Sequence, residues 1–332
     1  MERIETEDYS IANTDCIPAM LAMPEASIDL SVFSPPFSSL FAYSDEDADM
    51  GNSRESDDEF LLHFDFFARA IAPLMKPGRN VCCHIQQVSR HKGNHGYMGL
   101  YDLRGAVIRK FEDAGLHYYG DVTIPKNPQA QSIRTNSACL TFSQFERDSM
   151  ISRPALVDYL LLFKAPGENA VPVIQDPAMG GVSRDEWIQF ADGVWQSDDT
   201  SDTALHERTR FGEAFEGIDN MFKRGEPLPV WTGIKETATL NTDAAKADED
   251  ERHVCPLQLP LIDRCIRLWS NRGETVLSPF MGVGSEGYKA LELRRKFIGF
   301  ELNDRYFGVA KKNLDRMLRE RDAQVSLFGG SS

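Results

Sequence analysis

Apolar and polar positions along this chain switch between two periods, and the switching predicts an architecture. Residues 28–33 (IDLSVF) form an apolar run that ends at Ser34-Pro35-Pro36. Prolines donate nothing to a ladder, so the run predicts a strand that stops at a sheet rim. Between 59 and 75, Phe60, Leu61, Phe64, Phe67, Ala68 and Ile71 recur at helical spacing. Lys76-Pro77-Gly78 predicts a turn and 80–85 a strand. Residues 101–115 predict an amphipathic helix closed by Gly115. Strands are expected over 117–124 and 156–163. This strand–helix alternation predicts a mainly parallel α/β sheet.

From about 165 to 252 the periodicity fades into proline, glycine, acids and three tryptophans, Trp187, Trp195 and Trp231. An inserted, irregular region is expected there, with a small core that takes at least two of the tryptophans. Order then returns: helix over 256–269, strand 275–277, helix 285–292, strand 297–300, helix 304–319. The chain divides on this pattern into 1–165, 166–252, 253–320 and a flexible tail, 321–332, expected to fray.

Composition narrows the class. The 332 residues are 42% hydrophobic and 26% charged, near globular averages, which excludes collagen-like and wholly disordered chains. No apolar run is long enough to span a membrane, and the opening Met1-Glu2-Arg3-Ile4-Glu5 shows no export signal, so a cytoplasmic protein is expected. The six cysteines have neither CxxC nor histidine-rich spacing; they read as reduced thiols, with no metal site expected. A net charge of −15 disfavours nonspecific phosphate binding by the whole surface. The charge is uneven: 44–59 is strongly acidic, whereas basic residues gather across 76–134 and 294–316. Local basic stripes on an acidic protein are compatible with nucleic-acid binding.

Two motifs carry chemistry. Residues 274–301 spell a strand, a glycine-rich turn, a helix and a second strand ending in an acid. Gly282 and Gly284 allow close backbone approach to a ligand at a helix N-terminus, and Glu301 can accept hydrogen bonds from ribose hydroxyls. Gly282-Val283-Gly284-Ser285-Glu286-Gly287 also fits the dinucleotide fingerprint, which keeps a nicotinamide dehydrogenase as an alternative. The unit lies late in the chain, with one helix after it. The rest of the sheet must therefore come from the N-terminal half, a circularly permuted arrangement that suits a nucleoside ligand better than NAD. The second motif, Ser34-Pro35-Pro36-Phe37, ends a strand on the rim where such sheets place ligands. Ser34 and the Pro35 carbonyl can accept hydrogen bonds from an exocyclic amino group, Pro36 stiffens the backbone, and Phe37 can stack on a base.

The two motifs in this order resemble the β-class amino DNA methyltransferases, which modify adenine N6 or cytosine N4. The resemblance covers about 1–165 and 253–320, including Asn13-Thr14-Asp15-Cys16 and the stretch 253–260. It implies a doubly wound, circularly permuted S-adenosylmethionine-dependent methyltransferase fold with an inserted target-recognition region at 166–252. It implies Ser34, Pro35, Pro36 and Phe37 as catalytic residues. Asp15 and Cys16 are expected at the cofactor's adenine and Glu301, with Asn303, at its ribose. Ser278, Phe280, Gly282 and Gly284 are expected against the methionine moiety, with Pro256 and Gln258 closing over it. One departure stands out: Ser278 occupies the place of the family's usual Asp, so one negative charge near the sulfonium is missing.

The reaction so implied is direct methyl displacement by the amino group of a base flipped from double-stranded DNA. A cytosine-C5 enzyme would need a Pro-Cys dipeptide, and the chain has none. Adenine N6 is placed ahead of cytosine N4, although serine in the catalytic motif is commoner among cytosine-N4 members. Arg90, Lys92, Lys126, Arg134, Arg184, Arg208, Arg210, Lys223 and Arg224 are the candidate DNA contacts. The segment 38–59 follows the catalytic strand and is expected either as a solvated, mobile lid over the flipped base or as a DNA contact. A homodimer on a short specific site, a restriction-pair or solitary epigenetic role and nucleoid association complete the expectation. The alternative from another class is a catalytically idle DNA-binding module.

Overall fold

A computed structural model describes residues 2–36, 57–90, 92–126, 148, 150, 152–195, 238–240 and 257–328. Ten strands are found among them: β1 (Glu2–Glu5), β2 (Tyr9–Asn13), β3 (Ile28–Phe33), β4 (Met75–Gln86), β5 (Val88–Arg90), β6 (Gly99–Tyr101), β7 (His117–Ile124), β8 (Asp158–Lys164), β9 (Thr275–Ser278) and β10 (Lys296–Glu301). The helices are α1 (Cys16–Leu21), α2 (Asp57–Ile71), α3 (Lys92–His95), α4 (Leu103–Asp113), α5 (Arg184–Phe190), α6 (Leu259–Trp269), α7 (Ser285–Glu292) and α8 (Asp304–Phe328).

Eight strands make one sheet in the order β1-β2-β10-β9-β3-β4-β8-β7, and β5 and β6 form a separate hairpin. The five strands from β2 to β4 are mutually parallel, while β1, β8 and β7 pair antiparallel at the flanks. The expected parallel character therefore holds for the centre only. All six residues of β3 are buried, as a strand covered on both faces requires.

Each face has its own apolar cluster. On one, Phe60, Phe64 and Phe67 of α2 meet Phe111 of α4, Phe33 of β3 and Phe163 of β8. On the other, Leu261, Ile262 and Ile266 of α6 pack with Leu291 of α7, Phe297 of β10 and Leu314 of α8. Full burial of one such side chain contributes roughly 1.5–3 kcal/mol. Trp195 belongs to this second cluster, stacked near-parallel with Trp269 at 6.4 Å between ring centroids. Trp187 is exposed, and Trp231 lies outside the described residues.

Two local expectations are corrected. Lys76-Pro77-Gly78 does not break the chain into a turn; β4 runs through it, with Gly78 at φ 70° and a register shift against β3 between Ile28 and Leu30. That is a bulge absorbed by a glycine. The tail from 321 is not frayed at its start, since α8 continues to Phe328. Arg321 explains the extension: its guanidinium forks onto Asp8 at 2.9 and 2.8 Å, pinning the helix to the β1–β2 turn. Among the described residues no helix is long and apolar enough to cross a membrane, and the four described cysteines are free and buried.

Candidate active site

Parallel strands end on the same side of a sheet, so the C-terminal ends of β2, β3, β9 and β10 form one rim. They deliver Asp15, Ser34-Pro35-Pro36, the turn 278–284 and Glu301–Asn303 to that rim. Backbone bonds lock the pieces together. Thr14 N donates to Glu301 O at 3.0 Å, Asn13 Nδ2 to Leu302 O at 3.1 Å, and Met281 N to Phe300 O at 3.0 Å.

Glu301 is held by two amides: Gly282 N donates to Oε2 at 2.9 Å and Asn303 N to Oε1 at 2.8 Å. An acid so fixed keeps lone pairs in a set direction for a ligand hydroxyl. Asn303 uses its side-chain oxygen to cap α8, accepting from Arg305 N at 3.0 Å and Tyr306 N at 3.1 Å. Asp15 caps α1 in the same way through Ile17 N at 2.9 Å. Burial pushes the neighbouring Cys16 thiol well up, which keeps it an inert thiol.

The glycine turn shows why glycine stands there. Gly282 and Gly284 have φ of 50° and 86°, and a Cβ on Gly284 would come within 3.2 Å of Ala310 on α8. Phe280 packs on Phe67 and Phe33, with ring centroids 4.9 and 5.8 Å away, and so floors the turn with the aromatic core. Ser278 and Ser285 are 0% and 1% exposed, and neither hydroxyl has a hydrogen-bond partner among the described residues. Gln258 starts α6, and the adjoining Leu259 packs against the cluster containing Val283 of the turn.

Around Ser34 the structure adds residues that the motif did not name. Ser34 Oγ donates to His84 O at 3.2 Å and lies 3.3 Å from His84 Nδ1. His84 Nε2 is 3.0 Å from Asp158 Oδ2, and Lys126 Nζ is 2.7 Å from the same oxygen. Gln86 Nε2 donates to the other Asp158 oxygen at 2.9 Å. Burial alone would raise the Asp158 carboxyl, but His84 and Lys126 outweigh it and hold it below the ordinary range. In the tautomer whose Nε2–H donates to Asp158, His84 turns Nδ1 as an acceptor toward Ser34.

Lys126 is thus tied to a buried acid, not free for phosphate. Arg90 lies over the Tyr101 ring at 4.9 Å, while Lys92 and Arg184 are exposed. Phe37, Pro256, Arg134, Arg208, Arg210, Lys223 and Arg224 lie outside the described residues, as does most of the expected lid.

This rim has recognisable relatives. Residues 28–312 match the model of a DNA methylase family, N6_N4_Mtase. The chain belongs to that N6/N4 DNA methylase family. It is 25% identical to the type II methyltransferase M.BglI of Bacillus subtilis over 254 residues, 74% of this chain and 54% of the relative. It is 27% identical to M.SmaI of Serratia marcescens over 154 residues, 42% and 50% of the two chains. A shorter stretch of 70 residues, 20% of this chain and 23% of the relative, is 43% identical to the DNA adenine methyltransferase YhdJ of Escherichia coli K12. The matched regions span about half the length of the first two relatives.

Among solved structures, TTHA0409 of Thermus thermophilus, assigned as a DNA modification methylase and solved with S-adenosyl-L-methionine, superposes with a TM-score of 0.62. The identity is 19%, over 92% of this chain and 93% of that one. The cytosine-N4-specific PvuII DNA methyltransferase gives 0.56 at 16% identity, over 95% and 94%. At these identities the likeness establishes the fold, that of the S-adenosylmethionine-dependent methyltransferases.

Proposed function

We propose that the protein methylates the N6 nitrogen of an adenine flipped out of DNA, using S-adenosylmethionine. The observation that carries this reading is the placement of Ser34-Pro35 and the 278–284 turn at the ends of two hydrogen-bonded neighbours, β3 and β9. One strand end offers acceptors for an amino group and the other a cofactor cradle.

The residues present suit the cofactor. Two buried serine hydroxyls without partners border the glycine turn, and Glu301 is oriented by backbone amides. In this assignment Glu301 takes the ribose hydroxyls, Asp15 the adenine edge, and the turn from Phe280 to Gly284 the methionine moiety. When bound, the cofactor supplies an electrophilic methyl group on a positively charged sulfur.

The amino nitrogen of adenine is a poor nucleophile, because its lone pair is delocalised into the ring. Ser34 Oγ and the Pro35 carbonyl, accepting its two N–H groups, favour a pyramidal nitrogen with a localised lone pair. As the new N–C bond forms, the nitrogen must lose a proton. Ser34 Oγ takes it while passing its own to His84 Nδ1, and ionised Asp158 steadies the resulting imidazolium. Asp158 and Lys126 act through His84 and are positioning residues.

The segment similar to the E. coli adenine methyltransferase favours adenine. Cytosine N4 is the second reading, favoured by the hydroxyl of Ser34 where a carboxylate would mark an adenine enzyme. The region 166–252 is assigned to target recognition, with Arg184 inside it and Lys92 outside it as phosphate or base contacts. Work in the cytoplasm at the nucleoid and a homodimer on a twofold site belong to the same reading, as does a role in restriction–modification or in solitary epigenetic marking. Light scattering with and without DNA tests the dimer; a strict monomer in both would sink it.

The deciding experiment is nucleoside mass spectrometry of unmethylated genomic DNA after incubation with purified protein and S-adenosylmethionine. N6-methyladenine is expected. N4-methylcytosine would replace the base but keep the mechanism, and no methylated base with cofactor binding intact would leave an idle DNA-binding module.

A further inference from the structure

The string Gly282-Val283-Gly284-Ser285-Glu286-Gly287 contains an acid that neither ribose recognition nor helix capping uses. Glu286 lies in the first turn of α7, immediately after the glycine turn, and is 3% exposed. Its carboxyl makes no ion pair among the described residues, and burial beside the like charge of Glu301 pushes it up to about 8. Among the described residues, the cations on the surrounding elements are engaged elsewhere. On α7 itself Lys289 turns to Glu292 at 2.5 Å and Asp263 at 3.5 Å. On α6, Arg264 lies over the Phe190 and Trp195 rings and Arg267 holds Glu186. The last residue of β9 is the neutral Ser278, and on α8 Arg316 lies over Tyr288 and reaches toward Glu320.

A carboxyl buried with no counter-charge is costly, and the cost is relieved when a cation is brought beside it. Ser278 leaves the last position of β9 neutral, with a buried hydroxyl that has no hydrogen-bond partner among the described residues. The glycine turn is thus flanked in the chain by a neutral serine at the end of β9 and by an acid without an ion pair among the described residues at the start of α7. We propose that Glu286 is the carboxylate that balances the sulfonium charge of bound S-adenosylmethionine in this protein. The sulfonium is chosen over the amino acid ammonium because Gly282, in the turn that leads into α7, donates to Glu301 Oε2 at 2.9 Å and so ties the start of α7 to Glu301. In the assigned pose Glu301 marks the ribose, to whose 5′ carbon the sulfur is bonded. The inference rests on the cofactor reading above.

Calorimetric titration of the purified full-length protein separates the two claims. Its ligands are S-adenosylmethionine and S-adenosylhomocysteine, which differ only in the sulfur-bound methyl group and the charge it brings. Wild type is expected to bind the charged ligand and, near pH 7, to release about one proton on doing so, as shown by repeating the titration in buffers of different ionisation enthalpy. In Glu286→Gln, affinity for S-adenosylmethionine should fall roughly tenfold or more and proton release should vanish, while S-adenosylhomocysteine affinity changes less than about threefold. Glu286→Gln combined with Ser278→Asp should recover most of the loss by placing a carboxylate at the other end of the glycine turn. Equal affinity of wild type and Glu286→Gln for both ligands, or an equal fall for both, would overturn the assignment. No binding of either ligand by folded wild type would instead overturn the cofactor reading itself.

Discussion

The Ser34 hydroxyl sits 3.3 Å from Nδ1 of His84, a contact between the end of β3 and its neighbour β4. A serine hydroxyl rotates freely and can donate or accept. Here its proton has two acceptors, the His84 carbonyl and Nδ1, so its lone pairs stay available to a substrate N–H.

If that orientation matters, His84→Ala and Asp158→Asn should each lower kcat about 10- to 100-fold, with KM for S-adenosylmethionine changed less than about threefold. Transfer of tritiated methyl groups to DNA measures both. Unchanged kcat in a folded Asp158→Asn protein would show that Ser34 needs no help from β4 and β8.

Glu301 accepts from the backbone amides of Gly282 and Asn303, which fix its carboxylate at the rim. Glu301→Ala should weaken cofactor binding by about 2 kcal/mol, roughly thirtyfold, through loss of hydrogen bonds to a charged acceptor. Equilibrium dialysis reads this directly. Affinity within threefold of wild type would remove Glu301 from the ribose site.

Packing predicts a different outcome at Gly287. A Cβ there would lie 2.6 Å from the Phe297 ring and 2.7 Å from Leu314, both buried. Gly287→Ala should cost about 1–3 kcal/mol by overpacking the α7–sheet contact. Urea denaturation should show the lower midpoint with an unchanged slope.

The buried acid also sets a pH dependence of stability. Glu286 titrates at about 8 in the folded chain against 4.5 in an ordinary carboxyl. Between those values only the folded state holds the proton, so this group's contribution is complete below 4.5 and disappears as pH rises through 8. Without ligand, the Tm of wild type should fall between pH 5 and 8.5 by roughly 5 °C more than that of Glu286→Gln. Parallel curves for the two proteins would show that Glu286 is not a buried acid of this kind.

The sequence made the centre of the rim legible. An apolar run stopped by two prolines fixed β3, and glycine positions bounded α7 at 285–292, which is where the helix lies. The β1–β2 hairpin escaped notice because Glu2–Glu5 is a mostly exposed edge strand with no apolar alternation. His84 and Asp158 escaped for another reason. Each interrupts an apolar strand, a hint of a buried polar pair, yet they are 74 residues apart. Only the antiparallel register of β4 on β8, which sets Gln86 opposite Asp158, brings them together. Glu286 was hidden inside a motif read for its glycines.

The strand order has a bearing on biosynthesis. β2 and β3 are consecutive in the chain, yet β10 and β9 stand between them in the sheet. A nascent polypeptide leaving the ribosome therefore has both earlier strands long before it has the pair that joins them, and each waits with an open edge. The cofactor pocket lacks its glycine turn and its ribose acid until translation has passed Glu301. A shortened polypeptide ending before Thr275 would hold the Ser34 motif with nothing to react with it.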